Sequence, residues 1–234
     1  MPAGCEDDLM PHIIDLSHEV SDGLQTYPGL PVPHVFEHLT RDAAEEVYGP
    51  GVTFQIGMVT MCTNTGTYID MPFHRFADGH DLTGLPLERV SQVPAICIDV
   101  RGVRRIEPTA LDAFVAGGSL HPGMAMLFHT GHSRHFGTDS YTHEHPYLAR
   151  ATAERLVQLG VAMVGIDSLN IDAIDGDDGA GRPVHTTLLG AGIPIVEHLT
   201  DLHHLPSDGF TFTAVPPKIA GLGTFTVRAH AHLR

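Results

Sequence analysis

The stretch Leu148-Ala149-Arg150-Ala151-Thr152-Ala153-Glu154-Arg155-Leu156-Val157-Gln158-Leu159-Gly160-Val161-Ala162-Met163-Val164-Gly165-Ile166 decides the fold class. Leu148, Ala151, Leu156 and Leu159 recur at helical spacing, and Gly160 stands where a C-cap tolerates left-handed backbone. Val161 to Ile166 then runs apolar without alternation, as a strand covered on both faces does. A helix followed at once by such a strand is an α/β unit, so an α/β fold with central β structure and flanking helices is expected.

Working outward, short strands are expected over 12–16, 34–39, 52–61, Ala95–Val100 and Met124–Phe128, and again over Ile193–Leu199, Thr211–Val215 and Thr224–Leu233. Residues 41–48 and the segment after Pro108 read as short helices. Ser17 to Pro33 and the acidic, Gly-rich Asp172 to Arg182 read as loops. No internal repeat divides the 234 residues, which are expected to form one domain, 1–234, with 1–11 a flexible tail.

Composition excludes several classes of partner. The 42% apolar content is enough for a packed core. A net charge of −15 with 13 Lys and Arg disfavours nucleic acid and anionic membranes, which need clustered cations. Three scattered cysteines, Cys5, Cys62 and Cys97, lack any CxxC spacing and suit a reducing compartment. No apolar run approaches the roughly 18 residues of a membrane span, and Met1–Met10 lacks a signal-peptide core. A cytoplasmic protein acting on a small molecule is expected.

The polar residues that need a reason lie in Thr63-Asn64-Thr65-Gly66-Thr67-Tyr68-Ile69-Asp70-Met71-Pro72-Phe73-His74-Arg75-Phe76. Pro72 argues for extended chain here, since it lacks an N–H and restricts the residue before it. With a side-chain period of two, Asn64, Tyr68, Asp70 and, past the proline, His74 share one face. Such a face is either a polar surface strand or the wall of a site in which carboxylate and imidazole bind metal or exchange protons.

His185 and Glu197 are set in apolar surroundings, Pro183-Val184-His185-Thr186-Thr187-Leu188-Leu189 and Ile193-Pro194-Ile195-Val196-Glu197. A buried carboxylate without a partner costs several kcal/mol, so Glu197 requires a basic side chain, a backbone amide, His198 or a metal ion. His185 reads either as a hydrogen-bonded core histidine or as a ligand. Together with Asp70 the two complete a carboxylate–imidazole–carboxylate set suited to one divalent cation.

These residues, in this order, resemble the cyclase-like metal-dependent hydrolases, a family that includes bacterial kynurenine formamidase and isatin hydrolase. The resemblance runs from Ile14-Asp15-Leu16-Ser17-His18 through Tyr27-Pro28-Gly29, Gly66-Thr67 to His74, Thr130-Gly131-His132-Ser133 and Gly165-Ile166-Asp167-Ser168, to Pro183-Val184-His185 and Glu197-His198-Leu199. It implies the family's swivelling β/β/α fold, a homo-oligomer (dimer or tetramer), and hydrolysis of a small cyclic or aryl amide or lactone. In the family motif H-x-G-T-H-x-D-x-P-x-H, two histidines and the aspartate hold one metal, a later histidine and glutamate share the aspartate with a second, and the last motif histidine is the acid/base. Matched residue by residue, Asp70, His185 and Glu197 correspond to the second metal's ligands and His74 to the acid/base.

Asn64 and Tyr68 stand where the family has two metal histidines. A neutral amide and a phenol with a pKa near 10 do not replace imidazole. Two outcomes follow. One divalent ion (Mn, Zn or Mg) is retained on Asp70, His185 and Glu197, or no metal binds and Tyr68, Asp70, His74 and Glu197 serve a lyase, dehydratase or cyclase by proton transfer. A non-catalytic small-molecule-binding relative is the third reading, and kynurenine formamidase activity itself is not expected. Catalytic roles are expected for His74, Tyr68 and Glu197, and substrate contacts for Tyr27, Asn64, Phe73 and His132, with Phe36 and Phe76 the other candidates for an aromatic wall.

Overall fold

A computed structural model describes residues 12–233; the expected tail at 1–11 lies outside the described residues. Along the chain the strands are β1 (His12–Asp15), β2 (His34–Leu39), β3 (Ile56–Thr60), β4 (Tyr68–Asp70), β5 (Val93–Asp99), β6 (Arg105–Ile106), β7 (Ala125–His129), β8 (Tyr147–Leu148), β9 (Met163–Ile166), β10 (Ile195–Glu197), β11 (Phe210–Thr213), β12 (Thr224–Thr226) and β13 (His230–Leu233). The helices are α1 (Arg41–Tyr48), α2 (Asp112–Ala116), α3 (Arg150–Leu159), the one-turn α4 (Gly176–Gly179) and α5 (Pro183–Gly190).

Nine strands form one mixed sheet in the order β1-β13-β11-β5-β7-β9-β10-β4-β12. Its centre, β5-β7-β9-β10, is parallel. Side chains of these central strands alternate between two cores. Ala125 and Leu127 face a core with Ile69, Val196 and Phe212, while Met126 and Phe128 face one built with Leu156 of α3 and Val184 and Leu188 of α5. Both faces are therefore covered, which is why the Val161–Ile166 run shows no polar alternation. Gly160 ends α3 in left-handed backbone at φ 69°.

One expectation is corrected. Thr224 to Leu233 alternates like one terminal strand, but it forms two strands at nearly opposite ends of the sheet order. The Val227 N–H still donates to Thr67 O beside β4, whereas the Ala229 carbonyl already accepts from Leu16 N beyond β1. Two residues span at most roughly 7 Å. The sheet must therefore curl until its edges nearly meet, and a Ser17–Leu199 bridge ties the seam. Alternation survives the crossing because both strands half-bury one face. β2 and β3 pair apart from this sheet, with Val35, Phe36, Ile56, Met58 and Val59 exposed.

The seam half-buries His18 and fully buries His198, both as neutral imidazoles. Burial pulls His18 down to about 4 and His198 to about 3. The His198 Nε2 reaches the Leu169 carbonyl at 2.8 Å, and His18 stacks on Phe136 with ring centroids 3.7 Å apart. The unfolded chain takes up these protons near pH 6.5 and the folded chain does not, so their contribution is complete above pH 6.5 and is lost progressively as pH falls toward 4 and 3. Denaturant titrations at pH 7 and pH 5 should show a loss on the order of a few kcal/mol. His198→Asn, which keeps the short polar side chain suited to φ 56°, should flatten that loss.

Candidate active site

β4 is only three residues long, yet it sets the site. It lies between β10 and β12, with Tyr68 opposite both Glu197 and Thr226, and Asp70 opposite both Ile195 and Thr224. Directly opposed residues project from the same face of a sheet. Tyr68, Asp70, Glu197 and Thr224 therefore converge, all buried.

Pro72 acts differently from the sequence expectation. It opens a 3-10 turn, Pro72–His74, at a first helical position that tolerates a residue without an N–H. That turn folds His74 back over Asp70, their Nδ1 and Oδ1 atoms 3.7 Å apart. The turn is clamped by the Met71 N–H on Gly223 O, and a Cβ at Gly223 would overlap the backbone nitrogen of His74.

His185 arrives from the first turn of α5. Asp172 accepts the backbone N–H groups of Val184 and His185 at 2.7 and 3.0 Å, and the His185 Nδ1 at 2.6 Å. A carboxylate at a helix start satisfies free N–H groups and meets the positive end of the dipole. Here it also holds the proton on Nδ1, leaving Nε2 as the lone pair, 3.6 Å from Asp70 Oδ2 and 3.7 Å from Glu197 Oε1.

The Tyr68 hydroxyl donates to Glu197 Oε2 at 2.5 Å, and the Ile171 N–H donates to Oε1 at 2.6 Å. Burial, then the Glu197 and Asp70 charges, drive the Tyr68 phenol well above its ordinary value, so it stays protonated. Burial also raises the Glu197 carboxyl. For Asp70, burial acts upward, but the two neighbouring imidazoles and the Thr224 hydroxyl favour its charged form, outweigh burial and lower its pKa. For His185, burial acts downward, but Asp172 and Asp70 outweigh it and hold it at about 9.

Arg182 Nη2 lies 3.0 Å from His185 Nε2. An N–H aimed there needs the lone pair, so this contact and a proton on Nε2 exclude one another. His185 thus has two forms, a charged one favoured by Asp172 and Asp70 and a neutral one whose Nε2 accepts from Arg182, and the arrangement seen, with Arg182 on Nε2, is the neutral one. Any cation that takes Nε2 displaces Arg182.

Thr224 joins the two halves. Its Oγ1 is 2.5 Å from Asp70 Oδ1 and 2.9 Å from His74 Nδ1. A hydroxyl has one proton, and the anionic partner takes it, so Oγ1 accepts from His74 Nδ1–H. Neutral His74 then presents an unprotonated Nε2. Burial, opposed by the Asp70 charge, lowers the His74 pKa and keeps that nitrogen free near neutral pH.

Asp70 Oδ2 is buried without a hydrogen-bond partner among the described residues. Leaving such an oxygen unpaired costs about 1–3 kcal/mol or more. Asp70, His74 and His185 each offer a ligand atom, all mutually within 4.8 Å. Glu197 Oε1 adds a carboxylate oxygen 3.7 Å from His185 Nε2, so carboxylate and imidazole donors of the kind that suits a borderline divalent ion surround one point, whether or not His74 is among them, and the residues present fit a metal.

A cavity of about 200 Å³ opens onto these groups, lined by Tyr27, Leu30, Asn64, Tyr68, His74, Asn170 and Arg182. It brings together the expected Tyr27, Asn64, Tyr68 and His74. Two other expected contacts are elsewhere. Phe73 is 37% exposed, turned outward by the 3-10 turn, and does not line the cavity. His132 bonds the Tyr141 carbonyl at 2.9 Å and lines a different cavity with Arg104 and Arg134. Phe36 is exposed on β2, and Phe76 packs against the helical core. The residues that sequence reasoning missed are Thr224, Asp172 and Arg182. Asp172 and Arg182 bound the acidic loop, and Thr224 begins the alternating C-terminal run, but only strand pairing shows where they meet.

A curled α/β sheet with an acid–imidazole cluster at its seam is the architecture of a known class. Residues 14–173 match the Cyclase family model, described as "Putative cyclase". The chain belongs to this family. A kynurenine formamidase of Bacillus cytotoxicus is 30% identical over 92% of this chain and 95% of its own. Isatin hydrolase A from Labrenzia aggregata superposes with a TM-score of 0.81 at 21% identity, covering 95% of this chain and 93% of that one. A "predicted metal-dependent hydrolase" from Bacillus stearothermophilus gives a TM-score of 0.73 at 26% identity, covering 96% and 100%.

Thr224→Val should leave Asp70 Oδ1 without its donor and His74 Nδ1 without its acceptor. Turnover should fall by roughly 10–100-fold, the scale for lost orienting partners, while Thr224→Ser restores most of it. A valine variant as active as wild type would show that the hydroxyl orients nothing.

Proposed function

We propose that the chain is a metal-dependent hydrolase of a small cyclic or aryl amide or lactone. The observation that carries this is the buried Asp70 Oδ2, without a hydrogen-bond partner among the described residues and 3.6 Å from His185 Nε2, where Arg182 now places a positive charge that a cation would replace. The names of its relatives, kynurenine formamidase and isatin hydrolase, support the bond class.

Asp70 and His185 would hold the ion, with Glu197 Oε1 as the third ligand and His74 left free to move protons. Bound there, a divalent ion supplies Lewis acidity that acidifies water and polarises a carbonyl. The remaining work falls to side chains. His74 Nε2 takes a proton from the attacking water and returns it to the leaving nitrogen or oxygen. Tyr68, neutral and fixed on Glu197, keeps that carboxylate oriented. Asn64 lines the cavity, where its amide can meet a substrate oxygen; its Oδ1 accepts from Thr63 at 3.3 Å and its side chain also bonds the Tyr68 hydroxyl.

Elemental analysis of protein purified without added metal should find a divalent ion, and chelator should abolish turnover of an aryl formamide or lactone panel. Asp70→Asn should lose both. Metal-free protein with chelator-resistant turnover would favour proton-transfer chemistry by Tyr68, His74 and Glu197 instead. Separately, Asn64→His with Tyr68→His should raise the bound metal per chain, because it supplies two imidazoles where the family motif has them. Unchanged metal content would show that the loop no longer places those positions for coordination.

A further inference from the structure

The short turn after β10 gathers a second set of ligand-type side chains that shares no residue with the first. Asp201, His203 and His204 each offer a donor atom, all mutually within 4.8 Å. Successive residues on a 3-10 turn diverge by about 120°. The rings of His203 and His204, consecutive on the turn Leu202–His204, nevertheless lie with centroids 3.9 Å apart.

The segment is fixed rather than fortuitous. Leu202 is 2% exposed and anchors the turn in the core beside Val196 and Leu199. The His204 N–H donates to Asp201 O at 3.0 Å, and the Leu205 N–H to Leu202 O at 3.1 Å. Asp201 itself sits in left-handed backbone at φ 55°, which a non-glycine residue adopts at a cost and which turns its carboxylate toward the ring pair. His203 also lines a cavity of about 490 Å³ that includes His129, with ring centroids 6.4 Å apart.

We propose that Asp201, His203 and His204 form a second metal site, which takes a borderline divalent cation of the Zn²⁺, Co²⁺ or Ni²⁺ class. Two imidazoles and one carboxylate are a donor set these ions prefer over Mg²⁺ or Ca²⁺, whose ligands are oxygens. Three protein ligands leave at least one coordination position for water or a small molecule. Glu197 precedes this turn by four residues, so an ion here also stiffens the loop leaving the active-site strand.

The test is titration of the full chain, stripped of metal, with Zn²⁺ and with Co²⁺, following heat and the visible absorption of Co²⁺. Wild type should bind one equivalent more than His203→Gln/His204→Gln, and the variant should lose the corresponding Co²⁺ band. Asp70→Asn/His185→Gln should keep that equivalent, so failure of the active-site metal and failure of this site read differently. His230→Gln/His232→Gln removes an imidazole pair 5.2 Å apart on β13 and should change nothing. Equal stoichiometry and affinity in wild type and His203→Gln/His204→Gln would overturn the proposal, as would an equal loss in the β13 variant. His203 and His204 are exposed, so both folds should survive, which circular dichroism checks.

Discussion

The register of β4 against its two neighbours is the constraint on which the site depends. With only three residues, this strand has no room for slippage, and a shift by one would send Tyr68 and Asp70 to the opposite face. Both neighbours come from the C-terminal part of the chain, β10 ending in Glu197 and β12 beginning with Thr224. The seam at Val227–Ala229 holds that arrangement, because the chain must leave β12 and reach β13 within a few residues. Sheet closure and site assembly are thus one event.

Charge balance explains why so many polar groups tolerate burial there. Asp70, Asp172 and Glu197 are three carboxylates around one imidazole, all nearly inaccessible. Asp172 is stabilised by two backbone N–H groups and His185, and Glu197 by a phenol and a backbone N–H. Asp70 receives only Thr224 on one oxygen. Carboxylates without compensating donors are expensive in low dielectric. The shortfall is concentrated at Asp70 Oδ2, next to Nε2 of His185, so the electrostatic strain of the cluster is aimed at a single point.

The α/β class was legible in Leu148–Ile166 because burial on both faces leaves an apolar run, and the closeness of Asp70, His185 and Glu197 was expected from the apolar setting of His185 and Glu197 and from the family resemblance. What sequence could not reveal were effects of register and turn geometry. Thr224 acquires its role only by lying opposite Asp70. Pro72, read as a mark of extended chain, starts a 3-10 turn, since proline at a first position and proline after an extended residue look alike in sequence. The outward direction of Phe73 follows from that same turn. His132 carries no signal that separates the two cavities, because a buried wall of Tyr141 and His198 stands between it and Tyr68.

The replacement of imidazoles by Asn64 and Tyr68 has a structural logic once the contacts are known. Tyr68 lines the cavity, but its hydroxyl is engaged by Glu197. The hydroxyl donates to Glu197 Oε2, and its own pKa is driven upward by burial and by that carboxylate, so it is locked as a neutral donor. A phenol so held cannot serve as an anionic ligand, and it removes one oxygen of Glu197 from any cation while leaving Oε1 turned toward His185. Asn64 adds no charge. Relative to a site with two more imidazoles, the cavity therefore has fewer metal-type donors on the Tyr68 side. The unmet electrostatic demand of the cluster therefore lies in one place, at the Asp70 oxygen left without a hydrogen-bond partner among the described residues.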